Sequence, residues 1–445
     1  MKKTSIYILS LIIIALQSCR LESEMYDAIN PTLFPKTAED AEALVTGSCY
    51  RIFRADDWSE PYTMGSNGLH VVNDLASDVG ECQWRDREPL LYGRWIINNG
   101  YINASWQWAK FINIMALNMD RISQIDMDET HKNRLIAELR CGRGYLGFLL
   151  YDFYGPVPIA DLETLKNPLE EVIVPRATEE EMQTFIETEL TEAAKALPYS
   201  YKKGDPDYGR FSKGVCYMVL LKFYMQTKQW AKAEAAGREL MKPEYGYALV
   251  SRYADIFTLE NEKNAETIFS SNCLKGYNEQ MWHAHVLPSD YPTEASVSKW
   301  NGYKIAWWFM HTFEEGDQRL ETIVSEYTGV GGIQHSEELD VNSGEIQYGA
   351  VPFKYEIDAT TTGIGNQIDF IVYRYADALT LLSEAIVRKG NAVTQEAVDL
   401  LNMVRTRAGL QAYTLNSFSD TRDFLDKLLL ERGHELYWEG CRRQD

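Results

Sequence analysis

The chain has 445 residues, 45% of them hydrophobic, and carries 44 Lys+Arg against 65 Asp+Glu for a formal net charge of −21. A chain of this length can bury one large core or two smaller ones, and its composition is that of an ordinary globular protein. The acidic balance excludes a nucleic-acid binder, because a phosphate backbone demands a cationic footprint that is absent here.

Residues 1–19 read as a signal peptide. Lys2 and Lys3 form a positive start, Ile6 to Leu16 an apolar run, and Leu16-Gln-Ser-Cys19 resembles the lipobox after which a bacterial lipoprotein cysteine is acylated. No other stretch approaches ~20 apolar residues, so a soluble body tethered to a membrane through Cys19 is expected. Residues 20–36 read as the tether, and 37–445 as a single domain.

Thr37-Ala-Glu-Asp40 has the form of a capping box, predicting a helix to about Tyr50 or Phe53. From about 54 to 103 the periodicity lapses into an excursion that includes Trp58, Tyr62, Trp84, Tyr92, Trp95 and Tyr101. Helical spacing returns with Trp106, Phe111, Ile114, Met115, Asn118 and Ile122, then after a short turn with a helix over 129–154. In that second helix Leu135, Leu139, Gly142, Leu146, Leu149 and Phe153 mark one buried face. Ala137, Cys141, Gly144 and Gly147 mark a second face, small enough for another helix to approach closely. Arg143, interior to this apolar element, needs a carboxylate or carbonyl partner from elsewhere.

A second capping box, Thr178-Glu-Glu-Glu181, opens a helix that stops at Leu197-Pro198. Ser212–Gln226 and Gln229–Met241 form a helix hairpin with Phe223, Trp230, Ala233 and Ala236 at its seam, similar to a tetratricopeptide unit. The predicted fold class is therefore mainly α, a tetratricopeptide-like scaffold of helical pairs over about 103–242 and 371–445. A second excursion, about 244–369, is punctuated by glycines and prolines and carries Tyr277, Trp282, Tyr291, Trp300, Tyr303, Trp307 and Trp308. Helices return over 371–389, with Ile371, Tyr375, Leu379, Leu382 and Ile386 in one stripe, over 394–407, and from about Ser419.

Catalytic signatures are wanting: no G-x-S-x-G, H-E-x-x-H, Walker or Rossmann pattern occurs, and among 65 acidic residues no glycosidase pair stands out. His283-Ala-His285 lacks a third ligand at metal spacing, and Asp340-Val-Asn-Ser-Gly-Glu345 reads as a turn rather than a calcium loop, so no metal or other cofactor is expected. The six cysteines after Cys19 are far apart, and Cys141 and Cys216 read as buried thiols. The 27 Tyr, 16 Phe and 11 Trp are the sharper clue, since sugar rings stack on aromatic faces while polar neighbours take their hydroxyls; about half of these rings are expected to fill core. Trp84, Trp282, Tyr291 and Trp300 are the candidate stacking residues. A binder of peptides or other nutrients and, less favoured, a glycoside hydrolase are the alternatives.

Arg374-Tyr-Ala-Asp-Ala-Leu-Thr-Leu-Leu-Ser-Glu-Ala385, Leu401-Asn-Met-Val-Arg-Thr-Arg-Ala-Gly-Leu410 and Glu431-Arg-Gly-His-Glu-Leu-Tyr-Trp-Glu-Gly440 with Arg442 resemble signature segments of the SusD/RagB family of nutrient-binding lipoproteins. Arg143 to Pro158 is similar to the family's Arg-Ala-(aromatic)…Tyr-Gly-x-(Val/Ile)-Pro stretch, with Gly144 in place of the alanine. The resemblance implies a non-enzymatic protein, lipid-anchored on the outer face of the outer membrane, that presents a glycan or other nutrient to a SusC-like TonB-dependent transporter. We assign the signature residues Arg143, Arg374, Arg405, Glu431 and Glu439 to structural ion pairs rather than to chemistry. The family's pattern continues well beyond the Glu-Gly-x-Arg signature, so further chain beyond Asp445 is expected.

Overall fold

The computed structural model describes residues 34–55, 61–64, 68–94, 105–167, 169–293 and 296–445. Cys19 and most of the tether lie outside these residues, as do Trp58, Trp95 and Tyr101 of the first excursion. Among the described residues no helix is long and apolar enough to cross a membrane.

Both capping boxes form. Thr37 opens α1 (Ala38–Ser48) and exchanges hydrogen bonds with Asp40, leaving fewer amides unsatisfied at the helix start. After the short α2 (Leu69–Leu75) come α3 (Ala109–Ser123) and α4 (Glu129–Tyr154), the longest described helix, which Asp128 caps and Gly155 ends at φ +67°. Thr178 and Glu181 form the second box at the head of α5 (Glu179–Ala196), followed by α6 (Lys213–Gln226) and α7 (Trp230–Leu240). Neighbours in sequence pack in turn, α3 on α4, α4 on α5, α5 on α6 and α6 on α7, giving the expected stack of antiparallel helical pairs.

The small face of α4 explains its glycines. A Cβ on Gly144 would lie 2.7 Å from Leu190 Cγ, and one on Gly147 3.0 Å from Phe185, both on α5. Arg143 beside them donates to Glu189 Oε1 of α5 at 2.9 Å and to the Ile112 carbonyl of α3 at 3.2 Å, supplying both kinds of partner the sequence demanded. Gly144→Ala should therefore destabilise the protein by about 1–2 kcal/mol, as overpacking exceeds the helix-propensity gain. A urea midpoint equal to or above wild type would show that α5 can shift to admit the methyl group.

In the α3 stripe Phe111, Met115, Asn118 and Ile122 are buried, but Trp106 precedes the helix in a 3₁₀ turn and Ile114 turns outward. Cys141 and Cys216 are buried free thiols with sulfurs 3.5 Å apart.

The excursions are more ordered than their lost periodicity implied. β1 (Gly80–Cys82) lies in the first; β2 (Thr267–Ser271), the short helix α8 (Trp282–Val286), β3 (Tyr303–Ala306), β4 (Glu326–Thr328), β5 (Gln334–Ser336) and β6 (Gly349–Ala350) lie in the second. The strand order β1-β3-β6 joins the two excursions in one small sheet, while β4 and β5 pair separately.

The helix expected from 371 begins instead at Tyr375. Phe370–Arg374 is β7, antiparallel to β2, with Ile371 opposite Ser270 and Arg374 opposite Thr267. The run Phe-Ile-Val-Tyr favours a pleated strand, and its partner lies too far upstream for local periodicity to reveal. α9 (Tyr375–Gly390), α10 (Gln395–Arg407) and α11 (Thr421–Leu436) then continue the helical stack, α9 packing on α7.

Buried charges tie these parts together. Arg374 at the end of β7 contacts Glu266 at 2.8 Å, Glu439 at 2.7 Å, and Glu435. Arg407 of α10 reaches Glu266 at 3.1 Å and also Glu435; Arg319 holds Asp317 and Glu431, each at 2.7 Å; Arg405 spans Glu431 and Glu314. Lys354 closes the network on Glu439 at 2.6 Å. The signature charges are thus ion pairs of the framework.

Candidate functional site

The β1–β3 register builds the aromatic site. Cys82 pairs with Tyr303, and the next amide, Gln83 N, donates to Gly302 O at 2.9 Å, so the chain leaving β1 runs beside the chain entering β3. That places Trp84 next to Trp300, whose carbonyl accepts from the Trp84 indole N–H at 3.0 Å. Gly302 makes the approach possible: a Cβ there would lie 2.6 Å from the Trp84 ring.

α8 lies beside the pair. His285 stacks on Tyr303 with ring centres 5.5 Å apart and meets Trp300 edge-on at 4.9 Å, and its Nδ1 bonds the Met281 carbonyl. On the other side of the same short helix His283 packs on Phe353, which in turn packs on Tyr291 at 5.8 Å. Burial drives the pKa of both histidines down to about 4, so they are neutral packing groups near pH 7. Among the described residues no three His, Cys, Asp or Glu side chains gather as a metal site.

Of the four candidate stacking residues, the structure therefore brings Trp84 and Trp300 into direct contact and places Tyr291 in an adjoining cluster, with Lys299 bridging to its carbonyl at 2.9 Å. Trp300 is 37% exposed, while Trp84 and Tyr291 are half-buried. Trp282 requires correction. It is 0% exposed, packs on Tyr355 at 5.1 Å and donates its indole N–H to the Pro352 carbonyl, leaving no face for a ligand. It belongs to the core because α8 turns its first residue inward. The other rings of the second excursion divide similarly: Tyr303 is buried and Trp307 half-buried, whereas Tyr277 and Trp308 are exposed.

Sequence reasoning missed the contributions of Gln83, Asn301, Tyr327 and Phe353. Gln83 and Asn301 each precede or follow a candidate tryptophan, and Gln83 Oε1 and Asn301 Oδ1 are buried oxygens without a protein partner. Proximity to Trp84 and Trp300 was the available signal, but it needed the strand register to become meaningful. Tyr327 packs at a tilt against Tyr291, ring centres 5.2 Å apart, and donates to Asp290 Oδ1 at 2.7 Å.

Beneath Tyr327, His335 is held between Asp340, 3.0 Å from Nδ1, and Asp290, 3.0 Å from Nε2. Burial opposes protonation here, but hydrogen bonds and charge from Asp340 and Asp290 outweigh it and raise the His335 pKa above 6.5. The imidazolium's stabilisation is fully present below the unfolded-state value and is lost as pH rises through the higher folded-state value. His335→Gln should consequently lower the melting temperature more at about pH 5 than at about pH 9. An equal loss at both values would mean that the ring is not protonated in the folded protein.

Comparison with known proteins places this geometry in context. Residues 256–445 match the model of the SusD family, and residues 62–225 match a second model described as starch-binding, associating with outer membrane. The SusD-like protein P2 of Formosa agariphila is 22% identical over 480 residues, covering 100% of this chain and 90% of the relative. A SusD homolog from Bacteroides thetaiotaomicron superimposes with a TM-score of 0.76 at 20% identity, covering 92% of this chain and 86% of that one. Surface glycan-binding protein A from the same organism, solved in complex with laminarihexaose, gives 0.72 at 18% identity, covering 91% and 88%.

Proposed function

Because the chain belongs to the SusD/RagB family, whose members include glycan-binding proteins associated with the outer membrane, we propose that it captures oligo- or polysaccharide at the cell surface and passes it to a partner TonB-dependent transporter. The observation that carries this reading is the Trp84–Trp300 pair with Tyr291 alongside, held at the meeting of the two excursions. An exposed indole offers a flat apolar face for a sugar ring, and the half-buried rings beside it limit how that ring sits. A shallow arrangement of this kind binds an extended chain without enclosing it.

In this reading Cys19 carries the lipid anchor, the body faces the exterior, and the protein performs no chemistry on its ligand. The test is affinity electrophoresis against a polysaccharide panel, with reducing ends assayed on the same samples. Retardation without new reducing ends supports capture and names the polymer class. New reducing ends would identify a hydrolase, and absence of retardation throughout the panel would reject the saccharide reading.

A further inference from the structure

A second cleft, sharing no lining residue with the aromatic cluster, has a different chemistry. It is a cavity of about 200 Å³ between the loop after α5, the loop after α7 and the segment entering β2, and its walls include Tyr201, Lys202, Lys203, Tyr247, Lys263 and Asn264. The walls are fixed by ordinary bonds: Ser200 Oγ donates to Tyr245 O at 2.6 Å, and Ala248 N to Ala265 O at 3.1 Å.

Three lysines converge there in a protein of net charge −21. Lys203 donates to the Glu260 carbonyl at 2.9 Å and Lys263 lies 5.2 Å from the Tyr208 ring centre, but among the described residues none of the three is ion-paired. Glu262 acts through its charge on Lys263 and Lys203, and Asp369 on Lys263, without forming an ion pair. Glu262 accepts from Asp369 N, and Glu239 accepts from the Tyr245 hydroxyl and pairs with Lys242. The Tyr201 and Tyr247 hydroxyl oxygens are buried without a protein partner. Buried hydroxyls normally find a partner, so Tyr201 leaves hydrogen-bonding capacity at the cavity wall, whereas the Tyr247 hydroxyl is turned toward Gly214, away from the cleft.

We propose that this cleft is a second ligand site, taking the carboxylate or sulfate substituent of an acidic saccharide. The ammonium groups neutralise the oxyanion, the Tyr201 hydroxyl bonds it or an adjacent sugar hydroxyl, and the volume suits one sugar residue rather than a chain. The assignment rests on the proposed function in taking the ligand as a saccharide, but it adds selection for charge, which neutral stacking faces do not provide.

Calorimetric titration of the full chain with oligogalacturonate, its methyl ester, alginate oligomers, sulfated carrageenan oligomers and sodium sulfate tests it. At least one acidic oligosaccharide should bind, and its affinity should fall about tenfold or more in Lys202→Gln/Lys203→Gln/Lys263→Gln, the scale of losing charged hydrogen bonds. Tyr201→Phe, which keeps the ring, should weaken the same ligand by a smaller factor. Any neutral polysaccharide found by electrophoresis should bind the triple variant unchanged, which separates failure at this cleft from failure of the capture reading. No binding to any acidic oligosaccharide overturns the proposal, as does undiminished affinity in the triple variant. Equal affinity for oligogalacturonate and its methyl ester, with no sulfated oligomer bound, also overturns it. Sodium sulfate binding as tightly as the oligomers would make the cleft a site for free anions and reject the saccharide assignment.

Discussion

Arg374→Ala is expected to cost about 3–5 kcal/mol, the range for stranding buried charge by removing one partner. The side chain is fully buried and its guanidinium serves Glu266, Glu435 and Glu439 together. Burial alone would push the Glu435 carboxyl up, but the charges of Arg407, Arg374 and Arg319 outweigh it and hold the group well below the usual carboxylate range. Without Arg374, Glu435 keeps Arg407 and Arg319 while Glu439, among the described residues, keeps only Lys354. The loss should therefore fall most heavily on Glu439, and adding Glu439→Gln to Arg374→Met should recover part of it. Urea unfolding of Arg374→Ala, Arg374→Met and Arg374→Met/Glu439→Gln measures this. A single-variant loss below about 1 kcal/mol would place the network among weakly contributing ion pairs and reject the argument.

The second large effect separates core from surface among the tryptophans. Trp282→Ala should destabilise by about 3–5 kcal/mol, as expected for emptying a buried aromatic site. It removes the contacts with Tyr355 and Phe370 and strands the Pro352 carbonyl. Trp300→Ala should leave the melting temperature nearly unchanged and reduce polysaccharide affinity by about 2 kcal/mol, roughly thirtyfold, if the ring is a binding anchor. Thermal melts and calorimetry on the two variants give opposite patterns under this assignment. Weakened binding in Trp282→Ala at temperatures where it remains folded, with Trp300→Ala unaffected, would reverse it.

The helical half was legible because its information is local. Thr37, Asp128, Thr178 and Ser212 all cap helices near the positions their chemistry suggests, and the small residues of α4 predicted a close neighbour before Leu190 and Phe185 could be named. The excursions were harder because their order comes from pairing distant segments. Nothing near Trp84 in sequence announces Trp300; the β1–β3 register does. Likewise, ring content nominated Trp282 and Trp300 equally, since which way a short helix turns its first side chain depends on tertiary packing. Arg143 was recognisable as a charge in need of partners, yet Glu189 and Ile112 emerged only from helix stacking.

The ionic network also orders events in time. Glu266 must meet Arg374 and Arg407, and Arg319 must meet Glu431, across long intervening loops. Closing such loops sacrifices chain entropy before the contacts return any stability, so high sequence separation slows assembly. The carboxylates of Glu431 and Glu435 arrive on α11, after the arginines they neutralise have been made. A chain emerging amino end first can therefore assemble the local hairpins from α3 to α7 early. In its second half Arg319, Arg374, Arg405 and Arg407 can meet Asp317, Glu266 and Glu314 first, but they gain the carboxylates of Glu431 and Glu435 only when α11 docks, so that docking completes the network.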